Sequence, residues 1–205
     1  MSTAASYFDD MYRGSDDPWK LASRWYEQRK YDLTLAALPR ARYRSGFEPA
    51  CSVGELTTLL ADRCDALLAC DRVASAVGTA QRRTAHLPQV TVRQLVLPRQ
   101  WPAGTFDLVV LSELLYYFDP SDLSQLLDRT VGALEPAGTL VTVHWNHPVR
   151  EHLWTGVELA DVLARVPELA LMADHREDDF VLQVFGRLQS DGARPPSPAT
   201  REGLV

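Results

Sequence analysis

Apolar and polar positions along the chain change period several times. Over residues 1–45 the spacing is helical. In "DDPWKLASRWYEQRKYDLTLAALPR", Asp16, Asp17 and Pro18 predict a helix start. Leu21, Trp25, Leu33 and Leu35 to Leu38 supply its apolar side, and Pro39 ends it. Shorter segments then alternate. Residues 45–51 read as a strand and "GELTTLLADR" (54–63) as a helix, followed by "DALLACD" (65–71) as a buried strand and residues 72–85 as a helix. "VTVRQLV" (90–96) is strand-like, and "FDLVVLSE" (106–113) is a continuous apolar run, the mark of a strand covered on both faces. "SDLSQLLDRTVGALEPAG" predicts a helix capped by Asp119 or Ser121 and ended by Pro136 and Gly138. "TLVTVHW" (139–145) is a fifth strand. A helix over 155–166 and two strands meeting at Asp178-Asp179, a hairpin-like turn, complete the pattern.

Five strands alternating with helices, then a hairpin, predict an α/β fold. Its sheet is doubly wound and Rossmann-like, mostly parallel, with a C-terminal antiparallel hairpin strand. Residues 1–45 form an N-terminal helical segment, 46–188 the core domain, and the Pro/Ser/Gly-rich 189–205 a tail expected to be disordered. The composition is that of an ordinary globular protein, and no apolar run reaches the ~20 residues of a spanning helix. The first residues lack an apolar signal core, so a cytoplasmic location and no membrane partner are expected. A formal net charge of −6 with interspersed signs argues against a nucleic-acid surface. Cys51, Cys64 and Cys70, and the five histidines, lack metal-ligand spacing; buried thiols and no metal are expected.

Ligands of such sheets bind beyond the carboxyl ends of the strands. Here those ends are 50–54, Asp71, 96–98, Ser112-Glu113 and His144-Trp145. Asp71 ends a buried strand 23 residues after Glu48, the placement of an acid that accepts hydrogen bonds from ribose hydroxyls; it is also placed to cap the helix starting near Arg72. Glu48 lies inside the first strand, where an unpaired carboxylate is costly. It calls for loop amides, a cationic ligand group, or an ion pair with Arg42 or Arg44.

The loop "FEPACSVGEL", Asp71, "WPAGTFDLVVLSELLYYF" and "LEPAGTLVTVHW" together resemble a class I S-adenosylmethionine-dependent methyltransferase. Within that class, "DPWKLASRWYEQRKYDLTLAAL", "CSVGELTTLLADRCDALLACD", "FDLVVLSELLYY" and "VHW", spread over residues 7–188, are similar to the nodulation-protein-S-like group. That group N-methylates an amino sugar at the end of a chitin-type oligosaccharide. The resemblance implies S-adenosylmethionine as cofactor and S-adenosylhomocysteine as product. It lays the class pattern of an acid and three alternate glycines on Glu48, Ala50, Ser52 and Gly54, with Cys51 between them. Asp71, with Arg72 beside it, takes the ribose position, Leu95 to Leu97 the adenine edge, and Ser112 and Leu114 the methionine side. Trp19 and Arg29 fall in a segment resembling a lid over the cofactor. The chain departs from the patterns at several places. Ala50 and Ser52 replace glycines, Pro49 ends the first strand, and Val96 stands where many members carry an acid. Val157 and Ala160 stand where the nodulation-like pattern carries an aspartate and a histidine.

Methyl transfer from a sulfonium is an in-line displacement, so the protein's task is positioning and desolvation, and an amine acceptor must also lose a proton. Glu113, Tyr116, Tyr117, His144 and His147 are the polar candidates at the ends of the fourth and fifth strands. Glu113 and His144 are expected to orient the acceptor, with Tyr117 and Trp145 as walls. The expected acceptor is a small molecule, an amino sugar, a glycosylated metabolite or a related amine. O-methylation of a secondary metabolite, and a non-catalytic binding module on the same fold, are the alternative readings; the altered loop motivates the second of these.

Overall fold

A computed structural model describes residues 1–205. Seven strands form one sheet: β1 (Tyr43–Pro49), β2 (Cys64–Asp71), β3 (Val90–Gln94), β4 (Phe106–Ser112), β5 (Leu134–Trp145), β6 (Leu169–Arg176) and β7 (Phe180–Arg187). Their order is β3-β2-β1-β4-β5-β7-β6. The first five are parallel, and β7 runs antiparallel to both β5 and β6. The helices are α1 (Ala5–Gly14), α2 (Trp25–Ala37), α3 (Glu55–Ala61), α4 (Ala74–Thr84), α5 (Pro120–Ala133), α6 (Gly156–Leu163) and a short α7 (Pro198–Arg201). This is the doubly wound fold expected from the sequence.

Side-chain parity along β4 divides the interior in two. Val109 and Leu111 point to one face, into a core with Phe47, Leu126 of α5 and Leu159 of α6. Leu108 and Val110 point to the other, with Tyr31 of α2, Leu60 of α3 and Phe180. A strand covered on both sides must be apolar at successive positions, which is why this run was legible. Helix caps follow local chemistry. The Asp119 carboxylate accepts from the Ser121 and Asp122 amides ahead of α5, and Thr155 and Glu158 form a reciprocal capping box on α6.

Three local expectations are corrected. Helix α2 begins at Trp25, not at Pro18; Asp17 instead accepts from the amides of Leu21 and Ala22 and closes a turn. Helix α5 stops at Ala133, and Leu134 already pairs with Phe106 in β5, so Pro136 and Gly138 lie in a strand rather than ending a helix. The tail carries a defined contact: Pro195 is buried, and a Cβ on Gly186 of β7 would meet its ring at 2.5 Å.

Candidate active site

The strand order reverses between β1, whose next neighbour in sequence is β2, and β4 on its other side. Above this switch point lies a cavity of about 840 Å³, large enough for a cofactor of nucleoside size together with part of an acceptor. Its floor is the loop after β1. Ala50, Ser52 and Gly54 all have positive φ, at 59°, 49° and 81°. The three positions of the glycine pattern therefore share one left-handed conformation, although two of them carry side chains. Each non-glycine there costs about 1–2 kcal/mol. Bonds from the Cys51 amide to Cys70 O (2.9 Å) and from the Ser52 amide to Asp71 Oδ2 (3.0 Å) hold the shape, and the Ser52 hydroxyl bonds to the Tyr12 hydroxyl of α1. The loop borders the cavity without filling it.

Gly54 serves a different purpose from its neighbours. It is absent from the cavity wall, and a Cβ there would lie 3.0 Å from Ala80 Cβ and 3.1 Å from Ala80 Cα. It lets α3 approach α4.

Asp71 lines the cavity and is 7% exposed. Its Oδ1 accepts from the Val73 amide at 2.9 Å, ahead of α4, and its Oδ2 from Ser52. The helix-start and ligand-edge placements thus coexist on one carboxylate, and each oxygen keeps a further lone pair. Burial pushes its pKa up, against the pull of the amides. Glu48 is 3% exposed and lines the same cavity, yet its Oε2 has no partner. Arg42 and Arg44 are engaged by Asp65 and Glu135, so no ion pair neutralises Glu48. Burial pushes its pKa to about 8. A buried carboxyl group beside the Thr57 hydroxyl, with no ion-pair partner and at the edge of a cavity, fits the cationic end of S-adenosylmethionine.

Cys51, Arg72, Leu95, Leu97, Ser112 and Leu114 line the cavity as well, and so does Trp19, packed edge-on against Tyr12. Residues before and within α1 roof it: the Thr3 amide bonds to Tyr117 O at 2.9 Å, and Phe8 lies between Tyr117 and the Arg72 guanidinium. Arg29 stands apart. It makes a two-pronged ion pair with Glu177, at 2.9 and 2.6 Å, and Arg24 and Lys30 reach the cavity instead.

At the far end of β4, Glu113 adopts a φ of 53°. Its Oε1 takes the Lys30 ammonium at 2.6 Å, and its Oε2 accepts from the Tyr116 hydroxyl at 2.6 Å and the Trp145 amide at 3.1 Å. Lys30 also pairs with Glu27 at 2.9 Å. Burial alone would raise the pKa of Glu113; the Lys30 charge and these bonds outweigh it and hold the carboxyl below its ordinary range. His144 does not reach the cavity. It is 2% exposed, its Nε2 accepts from the Leu115 amide at 3.2 Å, and burial lowers its pKa to about 4. His147 is exposed and paired with Asp179. Tyr117 and Trp145 are walls. Sequence reasoning missed Lys30, Glu27 and His152. The first two sit on a helix whose other charged residues face solvent, and His152 lies in a loop without a motif.

Fold, switch-point cavity and paired acids define a class I S-adenosylmethionine-dependent methyltransferase. A model of the Nodulation protein S (NodS) family matches residues 10–157, and the chain belongs to that family. Nodulation protein S of Rhizobium tropici is 27% identical over 186 residues, 83% of this chain and 76% of the relative. A crystal structure of a methyltransferase candidate from Pseudomonas syringae is 46% identical, with 80% of this chain and 100% of that one covered and a TM-score of 0.72. The N-methyltransferase NodS of Bradyrhizobium japonicum WM9, solved with S-adenosylhomocysteine, shares the fold at a TM-score of 0.79 and 24% identity, covering 88% and 97% of the two chains. The enzyme is an S-adenosylmethionine-dependent methyltransferase. No helix is long and apolar enough to cross a membrane.

Proposed function

We propose that the enzyme N-methylates a primary amine, an amino sugar at the end of a chitin-type oligosaccharide or a closely related amine. The observation that carries this reading is the charge of the acceptor wall. Glu27 and Glu113 flank a single buried ammonium, Lys30, so this cluster, set apart from the exposed Arg24 that also lines the cavity, keeps a net negative charge that favours a cationic acceptor. Membership of the NodS family, and the N-methyltransferase activity named for the Bradyrhizobium structure, support the same reading.

When bound, S-adenosylmethionine supplies an activated methyl group on a sulfonium. In this reading Asp71 receives the ribose hydroxyls, Glu48 the methionine amine, and Leu95 and Leu97 the adenine faces. Ala50, Cys51 and Ser52 set the loop against the cofactor, with Ser112 and Leu114 on the methionine side. Trp19 and the α1 roof exclude water. Glu113 stays ionised and bonded, fixing Tyr116 and Lys30, and Tyr117 and Trp145 bound the acceptor.

The test is a transfer assay with two chitin-type oligosaccharides, one with a free terminal amine and one fully N-acetylated. Mass spectrometry should find one or more methyl groups on the terminal nitrogen of the first and none on the second. Transfer to a hydroxyl, with the amine untouched, would refute the reading.

A further inference from the structure

The acceptor ammonium must shed a proton before its nitrogen can attack, and the wall leaves few groups able to take it. Both oxygens of Glu113 are occupied by donors, and its pKa is depressed. His144 is enclosed, with its Nε2 spent on the Leu115 amide. Lys30 is an ammonium between two carboxylates. His152 differs from all three. It lines the cavity, and neither ring nitrogen is bonded within the protein; Nδ1 is enclosed, while Nε2 is not. Its ring is stacked on Tyr116 at 3.7 Å between centroids and 16° between planes, with Tyr117 edge-on at 5.0 Å. The adjacent backbone is fixed too. The Leu153 amide bonds to Tyr116 O at 2.7 Å and the Trp154 indole to Phe118 O at 2.8 Å. The imidazole is therefore held rigidly beside the tyrosines, with one nitrogen free.

Building on the amine reading above, we propose that His152 is the catalytic residue that takes the proton from the acceptor nitrogen, at Nε2. The acceptor ammonium gives its proton to Nε2. The lone pair thus released forms the new C–N bond while the methyl–sulfur bond breaks and its electron pair stays on sulfur. The imidazolium returns the proton to water at Nε2, the ring nitrogen that is not enclosed. An enclosed, unpartnered Nδ1 gives the charged ring no second acceptor, which favours rapid release. The charged and titratable groups around the ring are Glu113, Glu151, Tyr116, Tyr117 and His144. Burial holds the ring below the ordinary histidine range, against the two carboxylates, so it is neutral and able to accept at neutral pH.

His152→Ala, assayed with the amine-terminated oligosaccharide, should lose at least about 100-fold in kcat, the scale of general-base catalysis. S-adenosylhomocysteine affinity by calorimetry should stay within twofold. Added imidazole should restore part of the rate to His152→Ala and none to Glu113→Gln. Without turnover, addition of the oligosaccharide to the wild-type S-adenosylhomocysteine complex should shift the ¹⁵N resonance of His152 Nε2. Unchanged kcat, or a loss that imidazole does not rescue with an unmoved resonance, overturns the assignment. Wild-type enzyme that methylates no amine refutes the substrate reading instead, which separates the two failures.

Discussion

The Lys30 ammonium lies 2.6 Å from Oε1 of Glu113, joining α2 to the end of β4 across 83 residues of sequence. Lys30 is 3% exposed and touches Glu27 as well, so its charge holds two carboxylates at once. Lys30→Met should destabilise the protein by about 3 kcal/mol in urea unfolding. That is the low end for a broken buried pair, because Glu113 keeps a quarter of its side chain exposed. A loss under 1 kcal/mol (roughly the worth of a surface pair) would mean that water takes over the role of Lys30.

Glu48 makes stability fall with rising pH. Its folded pKa is raised from 4.5 to about 8, so in that window the folded state holds a proton that the unfolded chain has released. The contribution is present below the unfolded value and is lost as pH rises through the folded one. Glu48→Gln should remove this slope from the pH dependence of unfolding. If a cationic group of the cofactor faces Glu48, binding near neutral pH should also release a proton, visible by calorimetry in buffers of different ionisation enthalpy. No release in the wild type would remove Glu48 from the cofactor site.

His144 acts in the opposite sense. Its folded pKa is lowered from 6.5 to about 4, so on acidification the unfolded chain takes up a proton before the folded one can. Stability is then lost as pH falls through that window. His144→Gln should flatten the acid limb, and Glu48→Gln should steepen it by removing the opposing term. Unchanged limbs in both variants would contradict these assignments.

The loop after β1 offers a stabilising change. Ala50 is left-handed, which costs about 1–2 kcal/mol, while glycine loses about 0.5–1 kcal/mol more backbone entropy on folding. Ala50→Gly should raise stability by up to ~1.5 kcal/mol. Gly54→Ala should lower it by about 1–3 kcal/mol, because the new methyl meets Ala80 and the residue has a φ of 81°. Thermal unfolding of the two variants should move in opposite directions; a rise for both would refute the packing role of Gly54.

What was legible in the sequence follows from the range of the interactions involved. β4 announced itself because both its faces are buried, and Asp71 because it ends an apolar strand. The start of β5 was hidden, since Leu134 leaves its helical pattern to pair with Phe106, a partner 28 residues earlier. The packing role of Gly54 is hidden because its contact with Ala80 lies on the next helix, beyond the reach of a local pattern. Lys30 resembles any solvated helix lysine until Glu113 is folded against it, and His144 and His152 cannot be ranked without knowing which ring nitrogen is already bonded.

The three left-handed residues at 50, 52 and 54 bear on how such turns are recognised. A signature written in glycines records the easiest way to make the turn, whereas the ligand meets the direction of its backbone amides. A search by residue type passes over a chain that spells the turn Ala-Cys-Ser-Val-Gly. A search by the alternating sign of φ, coupled to an acid that accepts from the third residue's amide, would retrieve it and others hidden in the same way.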